Sequence, residues 1–248
     1  MTDTKKLHLI MPMGGAGSRF FKNGFIMPKP LIEINGKPFL YWSTMSIKKY
    51  IDIADITFVV LQEHIDEFQI DTHILKWFPD AKIEVIPQIL PGAVMTCLEG
   101  LRNIHDDSPV LFNDCDHMFR CTALKNALED GGQSYDGALL TFASDQPQFS
   151  YIRYGQDGKI IGTVEKEVVS NQAICGAYVV KNAETFRKMA EEYLQKCSYS
   201  EYFVSGIYNI MCRKKMQVVN FPVDFHVPFG TPTEYEEARD SEYFEELA

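Results

Sequence analysis

Three short stretches of this 248-residue sequence carry side chains able to do chemistry on phosphates. The first is Met11–Phe20, MPMGGAGSRF. Gly14, Gly15 and Gly17 have no Cβ, so their amides can close around an anion as a backbone nest. Arg19 adds a forked cation that grips a phosphate through two parallel hydrogen bonds. The stretch lacks the GxxxxGK[ST] of a P-loop and the third glycine of a dinucleotide fingerprint. Ten residues on, Pro28-Lys29-Pro30-Leu31 holds a lysine between two prolines, whose rings fix the backbone on both sides. The second stretch is Asn113-Asp114-Cys115-Asp116-His117, directly after the apolar run Val110–Phe112. Carboxylates at the carboxyl end of a parallel strand stand where open α/β sheets bind ligands. Hard oxygen donors there suit Mg²⁺ shared with substrate phosphates, whereas magnesium has little use for His117. The third is Gln88 with Pro91-Gly92-Ala93, an amide that donates and accepts beside an open backbone, as reading a base edge requires. Taken singly, each has a plainer reading: a tight turn, a solvated lysine, a capping carboxylate or amide.

The elements that must position these residues follow from hydrophobic periodicity. Leu7–Met11, Ile56–Leu61, Ile83–Ile86, Val110–Phe112 and Ala138–Phe142 read as buried strands. Pro38–Tyr50, Glu63–Trp77, Ala93–Ile104 and Thr122–Glu129 have helical length and spacing between them. The pattern predicts a Rossmann-like, doubly wound α/β fold with a mostly parallel central sheet. After about Asp145 the texture changes. Tyr151–Tyr154 and Lys159–Val164 flank Gln156-Asp157-Gly158 and predict a hairpin, a small extra β element. A strand Ile174–Val180, helices Ala183–Gln195 and Tyr202–Cys212, a strand Gln217–Phe221 and an acidic helix from Pro232 complete the chain. With no repeat or linker, one domain is expected over 1–248, a nucleotide half to about 145 and an acceptor half from about 146.

Composition narrows the partners. The chain is 46% hydrophobic and 23% charged, with 24 basic against 34 acidic residues and a net charge of −10. Nucleic acid, which needs clustered Lys and Arg, is not expected. A local pocket of amides, a few cations and a metal can still bind small phosphates. No apolar run approaches the roughly 18 residues of a membrane span, and no signal-peptide pattern opens the sequence. The six cysteines (97, 115, 121, 175, 197, 212) include no CxxC pair. Reduced thiols in a cytoplasmic protein are the expectation, with a homo-oligomer left open.

MGGAGSRF, PKPL and NGKPFL (Asn35–Leu40), in that order and spacing, resemble the opening of the sugar-phosphate nucleotidyltransferases, whose signature is GGxGxRL followed by PKPL. The resemblance implies that Met13, Gly14, Gly15, Ala16, Gly17 and Ser18 cradle a nucleoside triphosphate. Arg19 would steady its phosphates and Lys29 contact the reacting ones. Gln88, Pro91, Gly92 and Ala93 match the base-contacting segment, and a pyrimidine, CTP or UTP, is favoured. Alignment on Phe119 makes Asp116 the Mg²⁺ ligand and Asp114 its neighbour on the nucleotide side. YGQDGKIIGTVEK and SNQAICGAYVV resemble the acceptor segment, which implies Glu165 on a hydroxyl, Lys166 on the acceptor phosphate, and Asn171 and Gly176 beside them. The family places its late metal-binding Asp two residues before Gly-Thr-Pro. Here Pro228 stands there, so Asp224 is the candidate second ligand, provided Phe225–Phe229 loops outward.

Together these features predict Mg²⁺-dependent transfer of a nucleotidyl group to a small phosphorylated acceptor such as a sugar 1-phosphate. An ionised phosphate needs no general base, which agrees with a set of Arg19, Lys29, Asp116 and Lys166 without a Ser–His pair. Two alternatives are a nucleotide-sugar-dependent glycosyltransferase and a nucleotide-sensing module without catalysis, the latter motivated by the missing Asp.

Overall fold

The computed structural model describes residues 6–130 and 135–248. The chain runs through β1 (Leu7–Pro12), α1 (Ser18–Lys22), a 3₁₀ turn (Lys29–Leu31), the hairpin β2 (Glu33–Ile34) and β3 (Lys37–Pro38), and α2 (Phe39–Lys48). Next come β4 (Ile53–Leu61), α3 (Gln62–Phe68), α4 (Ile70–Trp77), β5 (Lys82–Ile86), α5 (Ala93–Gly100), β6 (Val110–Asn113), β7 (His117–Arg120), α6 (Thr122–Glu129) and β8 (Gly137–Ala143). The remainder is the hairpin β9 (Ser150–Tyr154) and β10 (Ile160–Glu165), β11 (Gln172–Val180), α7 (Ala183–Lys196), α8 (Ser205–Arg213), β12 (Val218–Pro222), β13 (Phe225–Pro228), α9 (Pro232–Ala238) and α10 (Tyr243–Leu247).

The main sheet has the order β12–β8–β11–β6–β1–β4–β5. Every neighbouring pair is parallel except those made by β11, which runs against β6 and β8. The Rossmann-like, mostly parallel sheet expected from the sequence is therefore present. Strands such as LHLIMP and VLFN are apolar on both faces because both faces are covered. One face packs Ile10, Val59, Phe112 and Leu139 against α5, α7 and α8; the other packs Leu9, Phe58, Leu111 and Val179 against α2, α4 and α6.

The sheet forks at β11. Its later half, Ala177–Val180, pairs with β6, while Ala173 and Ile174 pair with β9, so the β9–β10 hairpin leaves the sheet on the same side. Pairing to β8 slips between Ile174 and Tyr178, a bulge centred on Gly176 at φ 91°. A bulge bends its strand and opens a ladder, as at the margins of many active sites.

Several boundaries differ from the sequence reading. The expected helix Glu63–Trp77 is two helices, broken at Gln69, which takes φ 51°. The expected helix from Tyr202 begins at Ser205, because Tyr202 pairs instead with the loop before α5. β7 and β13 were not anticipated: four residues each and more than a hundred apart, they pair antiparallel as Phe225↔Arg120 through Pro228↔His117. A third apolar cluster of Phe39, Trp42, Phe225, Phe229 and Phe244 holds this ribbon against α2 and α10. No helix among the described residues is long and apolar enough to cross a membrane.

Candidate active site

The glycine-rich loop leaves β1 at its carboxyl end and is tied at once to the next strand, where Met13 N–H donates to Val59 O at 2.9 Å. Gly14 lies against α5, and a Cβ there would fall 2.5 Å from Ile86 Cδ1. Gly15, Ala16 and Ser18 are exposed, and the Gly15 Cα faces open space. Gly17 takes a left-handed φ of 60° and lies against Lys29, whose Cβ would be 3.3 Å from an added methyl. That conformation lets the loop and the Pro-Lys-Pro turn meet.

Lys29 reaches from this turn to the end of β6, where its Nζ donates to Asp116 Oδ2 at 2.6 Å. Burial alone would lower the lysine's pKa, but Asp116, helped by Cys115 and Asp114, prevails and raises it. Asp116 is held below the usual carboxylate range, since the pull of Lys29 outweighs burial. Asp114 behaves oppositely. Burial and then the charge of Asp116 lift it to about 7, against the pull of Lys29. Its carboxylate has no hydrogen bond or ion pair among the described residues, and its backbone N–H donates to Gly176 O at 3.0 Å. A Cβ on Gly176 would stand 2.7 Å from Asp114 Oδ2, so the bulge residue must be glycine to seat this acid.

The acidic loop is pinned from below. Ser43 Oγ of α2 donates to His117 O at 2.7 Å, and Asn113 Nδ2 donates to Ser43 O at 3.0 Å. His117 contacts Asn113 Oδ1 at 3.1 Å and His226 at 3.3 Å. Burial depresses His117 to about 4 and His226 far below the usual imidazole value, so both stay neutral near pH 7. This agrees with a structural rather than a ligating His117.

Arg19, Asp114, Asp116, Gly176, Ser150 and Glu234 line one open cavity in the fork of the sheet. Arg19 makes no ion pair among the described residues, which leaves its guanidinium free for an anion. Glu165 sits at the end of β10, where Ser150 Oγ donates to it at 2.7 Å and Ser205 also hydrogen-bonds it. Lys166, at φ 56°, is exposed, with its ammonium 5.3 Å from the centre of the Phe203 ring rather than in the cavity. Asn171 is exposed at the start of β11, with its carbonyl accepting from Ser144 N–H, and does not line the cavity.

Gln88 is exposed beyond β5. The following Pro91-Gly92-Ala93 is clasped by the chain around Tyr202: Tyr202 N–H donates to Pro91 O and Val94 N–H to Tyr202 O. Gly92, at φ 146°, is obligatory there, because a Cβ would fall 2.3 Å from Tyr202 N.

Asp224 is the correction. Phe225–Pro228 does not loop outward but forms β13, whose register places Pro228, not Asp224, opposite His117 beside Asp116. Asp224 lies at the far end of that ribbon, bonded to Arg120 Nε at 3.0 Å and Thr122 Oγ1 at 2.7 Å. Its carboxylate accepts from Thr122 N–H at the start of α6, and it does not line this cavity. Sequence reasoning also missed Ser150, Ser205 and Glu234. The Thr231-Pro-Thr-Glu234 capping-box pattern was a legible signal for the last.

The donor set fits a hard divalent cation. The orphaned Asp114 carboxylate and the half-buried Asp116 present oxygen to the cavity, and an ammonium already sits on Asp116. No group of three His, Cys, Asp or Glu side chains among the described residues could hold a metal alone. Mg²⁺ commonly takes one or two carboxylates and completes its shell with phosphate and water.

A Rossmann-like sheet with a glycine-rich loop, two cations and paired carboxylates at its carboxyl edge defines an enzyme that handles nucleoside phosphates. The sequence matches the nucleotidyl transferase family over residues 8–242, and the chain belongs to that family. Among solved structures, a nucleoside-diphosphate-sugar pyrophosphorylase from Vibrio cholerae RC9 is 21% identical, with a TM-score of 0.80 over 94% of this chain and 100% of that one. A UDP-glucose pyrophosphorylase complexed with UDP-glucose gives 16%, 0.75, 97% and 99% for the same measures. The inositol-1-phosphate CTP transferase from T. maritima gives 14%, 0.72, 100% and 96%. At these identities the likeness is one of fold. A search of curated proteins by sequence returned no significant match.

Proposed function

We infer that this nucleotidyltransferase transfers a nucleotidyl group from a nucleoside triphosphate to a sugar 1-phosphate and releases pyrophosphate. The observation that carries this reading is the convergence of Asp114, Arg19 and Asp116, the last paired with Lys29, on one cavity beside the glycine-rich loop. An oxygen of the acceptor phosphate attacks the α-phosphorus in line. The new O–Pα bond forms as the bond from Pα to the bridging oxygen of the β-phosphate breaks, and pyrophosphate takes that electron pair. The attacking oxygen is already ionised near pH 7, so the residues have to orient and neutralise rather than move a proton. Holding two reactants in line is worth about 7–11 kcal/mol in favourable cases.

Within this reading, the Met13–Ser18 amides and Arg19 hold the triphosphate, and Lys29 draws charge from the reacting phosphates. Asp116 and Asp114 would hold Mg²⁺, which would supply charge neutralisation for the reacting phosphates. Glu165, fixed by two serine hydroxyls, is set to accept from a sugar hydroxyl, with Asn171 and Lys166 at the acceptor rim. Lys166 reaches a phosphate only after leaving Phe203. Gln88 and the Gly92 backbone read the base, and a pyrimidine is favoured, in keeping with the CTP and UDP in the names of two structural neighbours. The chain acts as one domain, a nucleotide half to about 145 and an acceptor half beyond it; the single sheet shared by β6, β8 and β11 supports this. Six free cysteines suit the reducing cytoplasm, and a net charge of −10 disfavours nucleic acid.

The test is pyrophosphate release from each triphosphate over a panel of sugar 1-phosphates with Mg²⁺. Wild type should turn over one combination, and Asp116→Asn should abolish it with the fold intact. Near wild-type turnover by that variant would sink the assignment. Free nucleoside diphosphate as the product would instead mark a glycosyltransferase.

A further inference from the structure

Glu234 is the third residue of α9, and Thr231 is its N-cap. Thr-x-x-Glu is a capping-box sequence, in which the threonine oxygen accepts from the glutamate N–H and the glutamate carboxylate reaches back to the threonine N–H. Only the first half is made: Glu234 N–H donates to Thr231 Oγ1 at 3.2 Å, and Glu234 makes no bond back to Thr231 N. The carboxylate turns instead into the cavity that holds Arg19, Asp114 and Asp116. Among the described residues its one side-chain hydrogen bond is a long one, 3.5 Å from Gln148 Nε2, and no cation pairs with it.

Gly230 measures how near the two acids come. A methyl group there would lie 2.4 Å from Asp116 Oδ2 and 3.5 Å from Glu234 Oε2, so both oxygens border one small space. The approach is rigid. Phe229 N–H donates to Asp116 O at 2.9 Å, and the Phe229 ring packs on Phe39 with centroids 4.6 Å apart. The Asp114 carboxylate lines the same cavity and has no side-chain partner among the described residues.

We propose that Glu234 is a ligand of the divalent cation, facing Asp116 across the Gly230 Cα. This rests on the reading of the cavity as a nucleotidyl-transfer site. It assigns the late acidic ligand to the helix after Gly-Thr-Pro rather than to a residue before it. The role requires glycine at 230, because any side chain would fill the space shared by the two carboxylates. It also accounts for the half-made cap, since the carboxylate cannot serve both the helix end and a metal.

Mn²⁺ is the probe. Free Mn²⁺ is followed by electron paramagnetic resonance while it is titrated into the purified chain, alone and with a non-hydrolysable triphosphate analogue. Wild type binds Mn²⁺, and Glu234→Gln weakens that binding about tenfold or more. Glutamine still serves as the third residue of a capping box, so the metal-free melting temperature should hold. Glu234→Asp, shorter but still anionic, should fall between the two, and Asp224→Asn should match wild type. Unchanged Mn²⁺ affinity in Glu234→Gln overturns the proposal, as does absence of Mn²⁺ binding by wild type. A raised KM for the acceptor with Mn²⁺ binding intact also overturns it, by moving Glu234 to the acceptor. Failure of the nucleotidyl-transfer reading would show separately, as wild type that releases no pyrophosphate yet loses its Mn²⁺ site in Glu234→Gln.

Discussion

Replacing Lys29 by methionine keeps the length of the side chain and removes one charge. The ammonium it deletes lies 2.6 Å from Asp116 Oδ2, with the two side chains 26% and 23% exposed. Breaking a fully buried pair by removing one partner costs about 3–5 kcal/mol. Partial exposure lets water relieve some of that, so about 2–3 kcal/mol is expected near pH 7.5. At roughly 2–4 °C per kcal/mol for a chain of this size, the melting temperature should fall by about 4–12 °C. The pH dependence has a definite sign. With Lys29 present, Asp116 has a lowered pKa and contributes stability that is lost only as pH falls through that value. Without it, burial dominates both acids, and Asp114, already at about 7, rises further. The variant's deficit should therefore be largest above pH 7 and shrink as the acids protonate toward pH 5. Catalysis should fall about 10²–10³-fold, the usual loss when one charge-stabilising donor is removed. Differential scanning calorimetry across pH, with pyrophosphate release on the same samples, measures both. A melting temperature within a degree of wild type at pH 8, or a deficit that grows as pH falls, would refute the electrostatic account of the site.

Arg19→Met removes a cation that pairs with nothing among the described residues. Its stability should stay within about 0.5 kcal/mol of wild type while kcat/KM falls about 10²-fold or more; a stability loss matching the activity loss would mean that Arg19 is structural. Asp224→Asn leaves Arg120 with Glu246 alone and weakens the cap of α6; it costs at most about 1 kcal/mol and should leave turnover within about twofold of wild type. A collapse of its metal-dependent activity would restore Asp224 to the metal site. His8 bridges Asp55 at 2.8 Å and Asp106 at 3.0 Å at the opposite edge of the sheet. The Asp55 hydrogen bond outweighs burial and raises the His8 pKa, while His8 holds Asp55 down to about 2. The stabilisation is present below the ordinary imidazole value of about 6.5 and is lost as pH rises through the higher folded one. The thermal advantage of wild type over His8→Gln should thus narrow between pH 6 and 8.5, and a constant gap would refute the bridge.

The sequence by itself determined the alternation of the fold and marked the residue types suited to phosphate chemistry. Runs such as LHLIMP and VLFN can only be strands covered on both faces, and glycines followed by Arg19, with a proline-locked Lys29 and acids after Val110–Phe112, are local patterns that declare their chemistry. Only the tertiary structure decided which residues share the cavity. β11 reads as an ordinary strand, yet its reversal and the bulge at Gly176 come from pairing with three other strands, and that fork makes the pocket. The β7–β13 ribbon is too short to show periodicity and exists because Phe225 and Phe229 find a separate apolar cluster around Trp42. That pairing carries Asp224 away from Asp116 and brings Gly230 and Glu234 to it, although Asp224 lies closer to Asp116 along the chain. Local propensity fixes what each segment can form. Long-range packing fixes which carboxylates meet, because burying the aromatic residues of the ribbon leaves them one register in which to do so.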